Sequence, residues 1–213
     1  FSPNHGYGLS VNHDMVTSAI LGELDYNQTY IDLFTHQKLG PFSVYVRGRY
    51  EKLSGKPLPQ DQLGIFDIPN YYIAGSFVPE SEYMSPRGFS DSPRYGGQAF
   101  MGTVELRAPA APFQFVEILK IIQLGNPTVA LISDFGNAWK TDGEKEDLIM
   151  TTGLEFRFAL SLAKLPLFIF SYGWAQSPEK WGNDLQKLTE MWEGDVIDVG
   201  PKPYFQMTLI NPF

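Results

Sequence analysis

The alternation of apolar and polar side chains constrains the fold of this chain most strongly. From Phe42 to Tyr50 every second residue is apolar or glycine, and the residues between them include Tyr45, Arg47 and Arg49. A period of two residues is typical of a β-strand with one face in an apolar phase and the other in a polar one. The segment therefore predicts a strand that separates two different environments.

Two later segments alternate in the same way. In residues 152–162 large apolar residues alternate with Glu155, Arg157 and small residues. In the segment 166–175 an aromatic stripe is formed by the alternate residues Phe168, Phe170, Tyr172 and Trp174. The period of two is thus a property of the whole chain, and an all-β fold is expected.

We expect about eight strands in a single domain that spans residues 1–213. The predicted strands are residues 6–13, 19–34, 41–53, 97–108, 127–139, 151–162, 166–175 and 203–213. The long connections between them are 54–96, 109–126 and 176–202. The polar residues of 116–124 recur at helical spacing, 140–147 predicts a charged hairpin loop, and 185–192 predicts a short surface helix.

Two architectures fit this alternation. The polar sides of the strands mix charged residues with Gly, Ala and Ser, as expected for a water-filled barrel interior, and the other sides are rich in aromatic residues, as a lipid-facing surface is. A soluble β-barrel or sandwich with its apolar face inward, binding a small apolar ligand, gives the same period. Periodicity alone leaves both open.

Composition excludes several functional classes. The net charge of −8 argues against a nucleic-acid partner, which requires a basic surface. The absence of cysteine excludes disulfides, zinc–thiolate sites and cysteine nucleophiles. The longest nearly apolar run, Leu165–Ala175, is about half of what a membrane-spanning helix needs. Since His5, His13 and His36 lack metal-ligand spacing and no serine lies in a Gly-x-Ser-x-Gly motif, we expect no enzyme, metal or cofactor.

Several motifs follow one another in the second part of the chain. They are Pro86-Arg87-Gly88-Phe89, Thr103–Pro109, Leu131–Trp139, Thr152–Arg157 and a last strand that ends at Phe213. In this order and spacing they resemble the bacterial surface antigen domain, the C-terminal barrel of the BamA/TamA-type superfamily of outer-membrane assembly factors. Residues 5–54 fit more loosely, as the preceding strands.

The resemblance implies a role for the Arg-Gly-Phe motif. In that family the tip of a long loop folds back into the barrel, and its arginine pairs with acidic residues of the inner wall. Carried over, the inserted lumenal loop 54–96 is held by Arg87, Gly88 and Phe89, and Arg87 contacts Glu105 and Asp134. The alternation supports this pairing, because both acids fall on polar strand faces. The alternative is an ordinary surface turn with solvated acids.

The resemblance also implies a function for the last strand. In the family the first and last strands of the barrel pair poorly, and the seam between them can open and offer its backbone to an incoming strand. The corresponding residues of this chain are Phe205, Met207, Leu209 and Phe213. The expected partners are a lipid bilayer and client outer-membrane or exported proteins.

The family's barrel has sixteen strands, so about eight strands correspond to its C-terminal half. An eight-stranded barrel has little room for a loop as long as 54–96. We therefore expect an antiparallel transmembrane β-barrel in the bacterial outer membrane, completed by a missing half or other envelope subunits. Phe1 is not a start methionine, which predicts a processed chain or a piece of a longer one. The alternative is a self-contained eight-stranded outer-membrane anchor, adhesin or lipid-modifying enzyme.

Overall fold

The fold consists of β-strands joined into one large sheet and one small sheet. The computed structural model describes residues 5–17, 25–56, 63–65, 71–74, 86–88, 94–110, 115–118, 122–139, 148–162, 165–180 and 202–209. The strands of this part are β1 (His5–Val16), β2 (Asp25–Leu39), β3 (Phe42–Lys56), β4 (Leu63–Ile65), β5 (Tyr71–Ala74), β6 (Arg94–Gly96), β7 (Gln98–Pro109), β8 (Phe115–Ile118), β9 (Ile122–Trp139), β10 (Ile149–Leu162), β11 (Leu165–Gln176) and β12 (Lys202–Leu209). The all-β prediction is confirmed.

Eight long strands form an antiparallel meander in the order β1-β2-β3-β7-β9-β10-β11-β12. Strand β8 pairs with β9, and β5 adds to the far side of β12 in the parallel direction. Strands β4 and β6 form the small sheet. Because β1 and β12 lie at opposite ends of this order, the strands described form an open sheet.

The period of two gives the large sheet two contrasting faces. One face, called the apolar face below, exposes large side chains such as Leu33, Leu131 and Leu154, each more than half accessible. The opposite face, called the ionic face, buries charged side chains, including Asp134 at 0% and Glu155 at 1% exposure. Water-soluble proteins show the reverse preference, since charged residues are almost never fully buried unless paired.

The connections at the two ends of the sheet differ in length. At one end, residues 40–41 join β2 to β3, residues 119–121 join β8 to β9 and residues 163–164 join β10 to β11. Gly40, with a φ of 62°, adopts the left-handed conformation of the first of these turns. At the other end, residues 57–97 join β3 to β7 and residues 177–201 join β11 to β12. We call these the turn end and the loop end.

The small sheet packs on the ionic face near the loop end. Its residues Leu63 and Ile65 are buried against the long strands, in a cluster that consists of Leu53, Leu63, Ile65, Ala99, Ala138 and Ile149. Arg94 of β6 donates a hydrogen bond from Nη1 to Oδ1 of Asn137 at 3.1 Å. The connection between β3 and β7 is thereby packed over part of the ionic face.

One expectation about secondary structure is wrong. Residues 116–124 carry polar residues at helical spacing, but β8 and the start of β9 form an antiparallel pair there. In its register Glu117 is the direct partner of Gln123, so a hairpin explains the spacing of these two residues as well as a helix does. The β-branched residues of the segment favour strands.

Several other predictions lie outside the described residues. They concern the loop 140–147, the helix 185–192, and the residues Phe89 and Phe213. Strand β2 extends to Leu39, five residues beyond its predicted end at 34. Among the residues described, no helix is long and apolar enough to cross a membrane.

Candidate functional site: the Arg87 cluster

The turn Pro86–Gly88 brings Arg87 to the centre of the ionic face. Arg87 is 8% exposed although it belongs to a connection between strands. It donates to the Asp134 carboxylate from its backbone N at 2.9 Å, from Nε at 2.7 Å and from Nη2 at 2.7 Å. Within the part of the chain described, these are the hydrogen bonds that Asp134 accepts, so its buried charge depends on Arg87.

The same guanidinium reaches two further carboxylates. Nη1 of Arg87 lies 2.8 Å from Oε1 of Glu105 and 3.2 Å from Oε2 of Glu155. These acids belong to β7 and β10, and Asp134 belongs to β9 between them. One always-charged planar fork thus bridges three adjacent strands, which a lysine cannot do with the same geometry.

Two arginines of the sheet complete the charge balance. Arg157 contacts Glu105 at 2.7 Å through Nη2 and also pairs with Glu155 through Nε. Arg107 contacts Oε2 of Glu105 at 2.6 Å through Nη2. The Arg87 cluster therefore consists of Arg87, Arg107, Arg157, Glu105, Asp134 and Glu155. Three positive and three negative charges offset one another, which makes the burial of the acids tolerable.

A tyrosine of the last strand joins the cluster. Tyr204 is 5% exposed, and its Oη donates to Oε2 of Glu155 at 2.6 Å. Strand β11 lies between the two residues, and Gly173 of β11 is the register partner of Tyr204. A Cβ atom at Gly173 would lie 2.6 Å from Tyr204 Oη. The absence of a side chain there lets the phenol cross β11 and reach β10.

Gly88 places the turn against the sheet. Its φ is 74°, a conformation that costs other L-residues about 1–2 kcal/mol. A Cβ atom at this position would overlap the Ala175 carbonyl group of β11. Only glycine therefore fits both the turn and the approach to the strand.

Small side chains make room for the cluster. Ala130 of β9 pairs in register with Arg107 on one side and Glu155 on the other. It is 0% exposed and belongs to a buried cluster with Ile132, Ala175 and Tyr204. A larger residue at this position would compete with the ion pairs for the same space.

A second group of ion pairs lies farther along the ionic face. It comprises Asp32 of β2 with Arg47, Arg49 and Glu51 of β3, and we call it the β2–β3 pairs. Arg47 Nε donates to Asp32 Oδ1 at 3.0 Å, and Arg49 Nη2 lies 2.9 Å from Glu51 Oε1. The Arg49 guanidinium also lies 4.4 Å from the centre of the Tyr30 ring. These contacts join only two neighbouring strands.

The Arg87 cluster is suited to holding structure in place. Its acids are paired with arginines, and the Tyr204 hydroxyl donates its hydrogen bond to Glu155. Within the described ranges no group of three or more His, Asp or Glu residues is arranged to hold a metal ion. The cluster attaches the long connection between β3 and β7 to four strands of the sheet. Arg87 contacts β7, β9 and β10, and Gly88 packs against β11.

The structure brings four of the predicted site residues together. Arg87, Gly88, Glu105 and Asp134 all lie at the cluster, whereas Phe89 falls outside the described part of the chain. The predicted residues of the last strand lie apart from it. Phe205 and Met207 are half-buried on the apolar face, where Phe205 contacts Phe170 with ring centroids 5.9 Å apart.

Leu209 is the last residue of β12 and pairs in register with Phe168 of β11. Phe213 lies beyond the described residues. The structure thus describes the last strand over residues 202–209 of the predicted 203–213, and its functional role remains a prediction.

Four residues of the site were not assigned to it from the sequence. Glu155, Arg157 and Arg107 alternate on polar strand faces, which is a usable signal, but alternation does not give the register that brings them together. Tyr204 was missed because it lies two strands away from Glu155. The pairing of Tyr204 with Gly173 across strands becomes visible only once the register is known.

No family model matches this chain, and no curated protein matches it.

Proposed function

We propose that the chain forms part of a transmembrane β-barrel in the bacterial outer membrane that inserts or exports other proteins through a lateral seam. The likeness of its motifs to the bacterial surface antigen domain supplies the activity. The barrel would be closed by a missing half or by other envelope subunits. The proposal involves no covalent chemistry, so the chain is not assigned an enzymatic role.

The distribution of side chains over the two faces carries the membrane assignment. Leu33, Leu131 and Leu154 are exposed at 56%, 54% and 53%, whereas Glu105, Asp134 and Glu155 are at most 3% exposed. Exposing the apolar face to water would cost roughly 25 cal/mol of free energy per Å² of apolar surface. In a bilayer the same surface is matched by hydrocarbon, and the charged residues face away from it.

The two ends of the sheet support an orientation. Short turns at one end and long loops at the other are typical of outer-membrane barrels, with the turns on the periplasmic side. By this rule the connections 57–97 and 177–201 belong to the extracellular end. The Arg87 turn then reaches the ionic face from outside the cell.

The open sheet favours a multi-part barrel over the self-contained eight-stranded alternative. In a closed eight-stranded barrel β1 would pair with β12, whereas these strands lie at opposite ends of the order. Unpaired edges in lipid are prohibitive, since each unsatisfied backbone group costs several kcal/mol. Further strands are therefore needed to complete the barrel. The experiment below distinguishes this function from its alternatives. These are an anchor, an adhesin, a lipid-modifying enzyme and a soluble ligand-binding barrel.

The experiment measures client insertion directly. The chain is purified from outer membranes together with the segment or subunits that complete its barrel, and this assembly is reconstituted into phosphatidylethanolamine–phosphatidylglycerol vesicles. An unfolded outer-membrane barrel is added, and its protease-protected fraction is followed over time. We expect faster insertion than into vesicles that contain an unrelated barrel of similar size.

Two results would contradict the proposal. Equal insertion rates in both vesicle types would remove the assembly function and leave the alternatives of anchor or adhesin. A chain that is folded and monomeric in buffer without detergent would remove the membrane assignment altogether.

A further inference from the structure

The same connection is linked to β12 in two ways, directly through β5 and indirectly through the Glu155 carboxylate. Residues 57–97, which join β3 to β7, contain both β5 and the Arg87 turn. Strand β5 pairs with the outer edge of β12, and Arg87 shares the Glu155 carboxylate with Tyr204 of β12. These two contacts are formed by different atoms on different sides of the strand.

The first contact covers the edge that a seam would expose. Tyr71, Ile73 and Ala74 are the register partners of Phe205, Met207 and Thr208, and the two strands run parallel. The other edge of β12 is paired with β11. Without β5, the outer edge of β12 would have no partner among the described strands, and such an edge pairs readily with another extended chain.

The second contact fixes β12 from the ionic face. Tyr204 Oη donates to Glu155 at 2.6 Å, and Glu155 is also held by Arg87 at 3.2 Å and by Arg157. Glu155 is 1% exposed, so it has no water to replace a lost partner. If Tyr204 moves away, the buried carboxylate loses a hydrogen bond, and a charged group left short of partners is costly.

We propose that the connection between β3 and β7 attaches to the last strand and blocks its outer edge; we call this attachment the clasp. Strand β5 occupies the edge that an incoming client strand would use. The Arg87 cluster keeps the connection in place through Glu155 and Tyr204. The role of the clasp at a seam rests on the proposed function. The outer edge of β12 takes one kind of occupant, which is a short extended segment that pairs with β12 in the parallel direction. A client strand binds to this edge only after β5 has left it.

The two contacts depend on each other in this account. Detaching Arg87 frees the connection that carries β5, and displacing β12 removes a partner of Glu155. Coupling between two sites is reciprocal, so weakening either contact loosens the other. A packing role of Tyr204 alone would leave the β5–β12 pairing unchanged.

Disulfide trapping tests the edge contact. The chain has no cysteine, so a pair introduced at Ile73→Cys and Met207→Cys reports only on this register. The control pair Ile73→Cys with Phe205→Cys is shifted by two residues, which places the Cα atoms about 8 Å apart, beyond the reach of a disulfide. We expect rapid oxidation of the first pair in vesicles and none of the second. No disulfide in the first pair, or equal rates in both, would overturn the clasp.

The coupling is tested with the same cysteine pair. Tyr204→Phe removes only the hydroxyl that binds Glu155, and we expect the rate of disulfide formation to fall about fivefold. Tyr50→Phe is the matched control, since its hydroxyl binds Gln98 at 3.0 Å on the other face, and it should leave the rate unchanged. An unchanged rate in Tyr204→Phe, or an equal fall in both variants, would overturn the coupling.

Client insertion then separates this inference from the proposed function. We expect the oxidised Ile73→Cys/Met207→Cys protein to insert client at less than a fifth of the rate of its reduced form. Full activity of the oxidised protein would overturn the clasp and leave the assembly function in place. If the unmodified chain has no insertion activity, the assembly function fails, while the trapping and coupling results still decide whether the connection closes the β12 edge.

Discussion

The Arg87 cluster and the β2–β3 pairs use the same residue types on the same face but hold different structures together. In the β2–β3 pairs, Arg47 contacts Asp32 across one strand pairing, and Arg49 contacts Glu51 two residues along its own strand. In the Arg87 cluster, Arg87 contacts an acid on each of three strands, the farthest of them 68 residues away in sequence. One group reinforces a hairpin, and the other attaches a connection to the sheet.

Burial differs between the Arg47–Asp32 pair and the acids of the Arg87 cluster. The Arg47 side chain is 28% accessible, so water can replace part of its contact with Asp32. The side chains of Asp134 and Glu155 are 0% accessible. Breaking a buried ion pair costs about 3–5 kcal/mol, whereas exposed pairs contribute about 0–1 kcal/mol. The comparison shows that residue type alone does not determine the energetic importance of an ion pair.

The largest effect is expected for Arg87→Met, which removes the shared partner of three acids. We expect a loss of about 3–5 kcal/mol in the free energy of unfolding, because the Asp134 charge is left buried without its partner. Chymotrypsin cleavage of residues 57–97, which contain several aromatic residues, should accelerate. Urea unfolding in detergent, followed by tryptophan fluorescence, measures the first quantity.

The double variant Arg87→Met/Asp134→Asn is the control for this prediction. Because it removes the unpaired charge as well, it should recover part of the lost stability. Two results would show that the unpaired buried charge does not cause the loss of stability. One is a single variant as stable as the parent, and the other is a double variant clearly less stable than the single variant.

Gly88→Ala is expected to have the next largest effect. The positive φ and the overlap with the Ala175 carbonyl together predict a loss of about 2 kcal/mol and faster cleavage of the connection. Gly48→Ala is the matched control, since a Cβ atom there meets nothing within 4 Å. Equal stability of the two variants would show that the Gly88 turn is not held tightly against β11.

Tyr204→Phe is expected to cost about 1.5–3 kcal/mol, the usual range for a hydrogen bond to a charged group. Tyr50→Phe, which removes a hydrogen bond between neutral side chains, should cost about 1 kcal/mol. The comparison is made by urea unfolding of both variants under the same conditions. Equal losses would argue that Tyr204 contributes only an ordinary hydrogen bond.

The smallest effect is expected for Arg47→Gln in the β2–β3 pairs. Its partial exposure predicts a loss of about 1 kcal/mol or less, and the loss should shrink further at high salt. A loss as large as that of Arg87→Met would erase the distinction between the two regions.

The sequence predicted the fold well wherever the alternation of apolar and polar residues within a single strand was sufficient. Alternation in residues 42–50 and 152–162 identified β3 and β10 and the faces on which Arg47, Glu155 and Arg157 lie. It was misleading in 116–124, where the polar residues of a short hairpin imitate helical spacing. Local patterns do not distinguish these cases, because the hairpin is defined by the pairing of Glu117 with Gln123.

The site was predictable only in part for a related reason. The motif resemblance paired Arg87 with Glu105 and Asp134, and the strand faces agreed with that pairing. The contacts of Glu155 and Tyr204 depend on strand order, on register and on the space above Gly173. These are properties of the assembled sheet, and no single segment of the sequence contains them.

The most direct test of the membrane assignment measures which face of the sheet meets lipid. Single cysteines are introduced at Leu131, on the apolar face, and at Thr103, which shares the ionic face with its register partner Asp134. Each is labelled with the same fluorophore in a reconstituted chain, and quenching by brominated lipid is measured. We expect strong quenching at Leu131 and little at Thr103. Equal quenching at both positions, or none at Leu131, would contradict it.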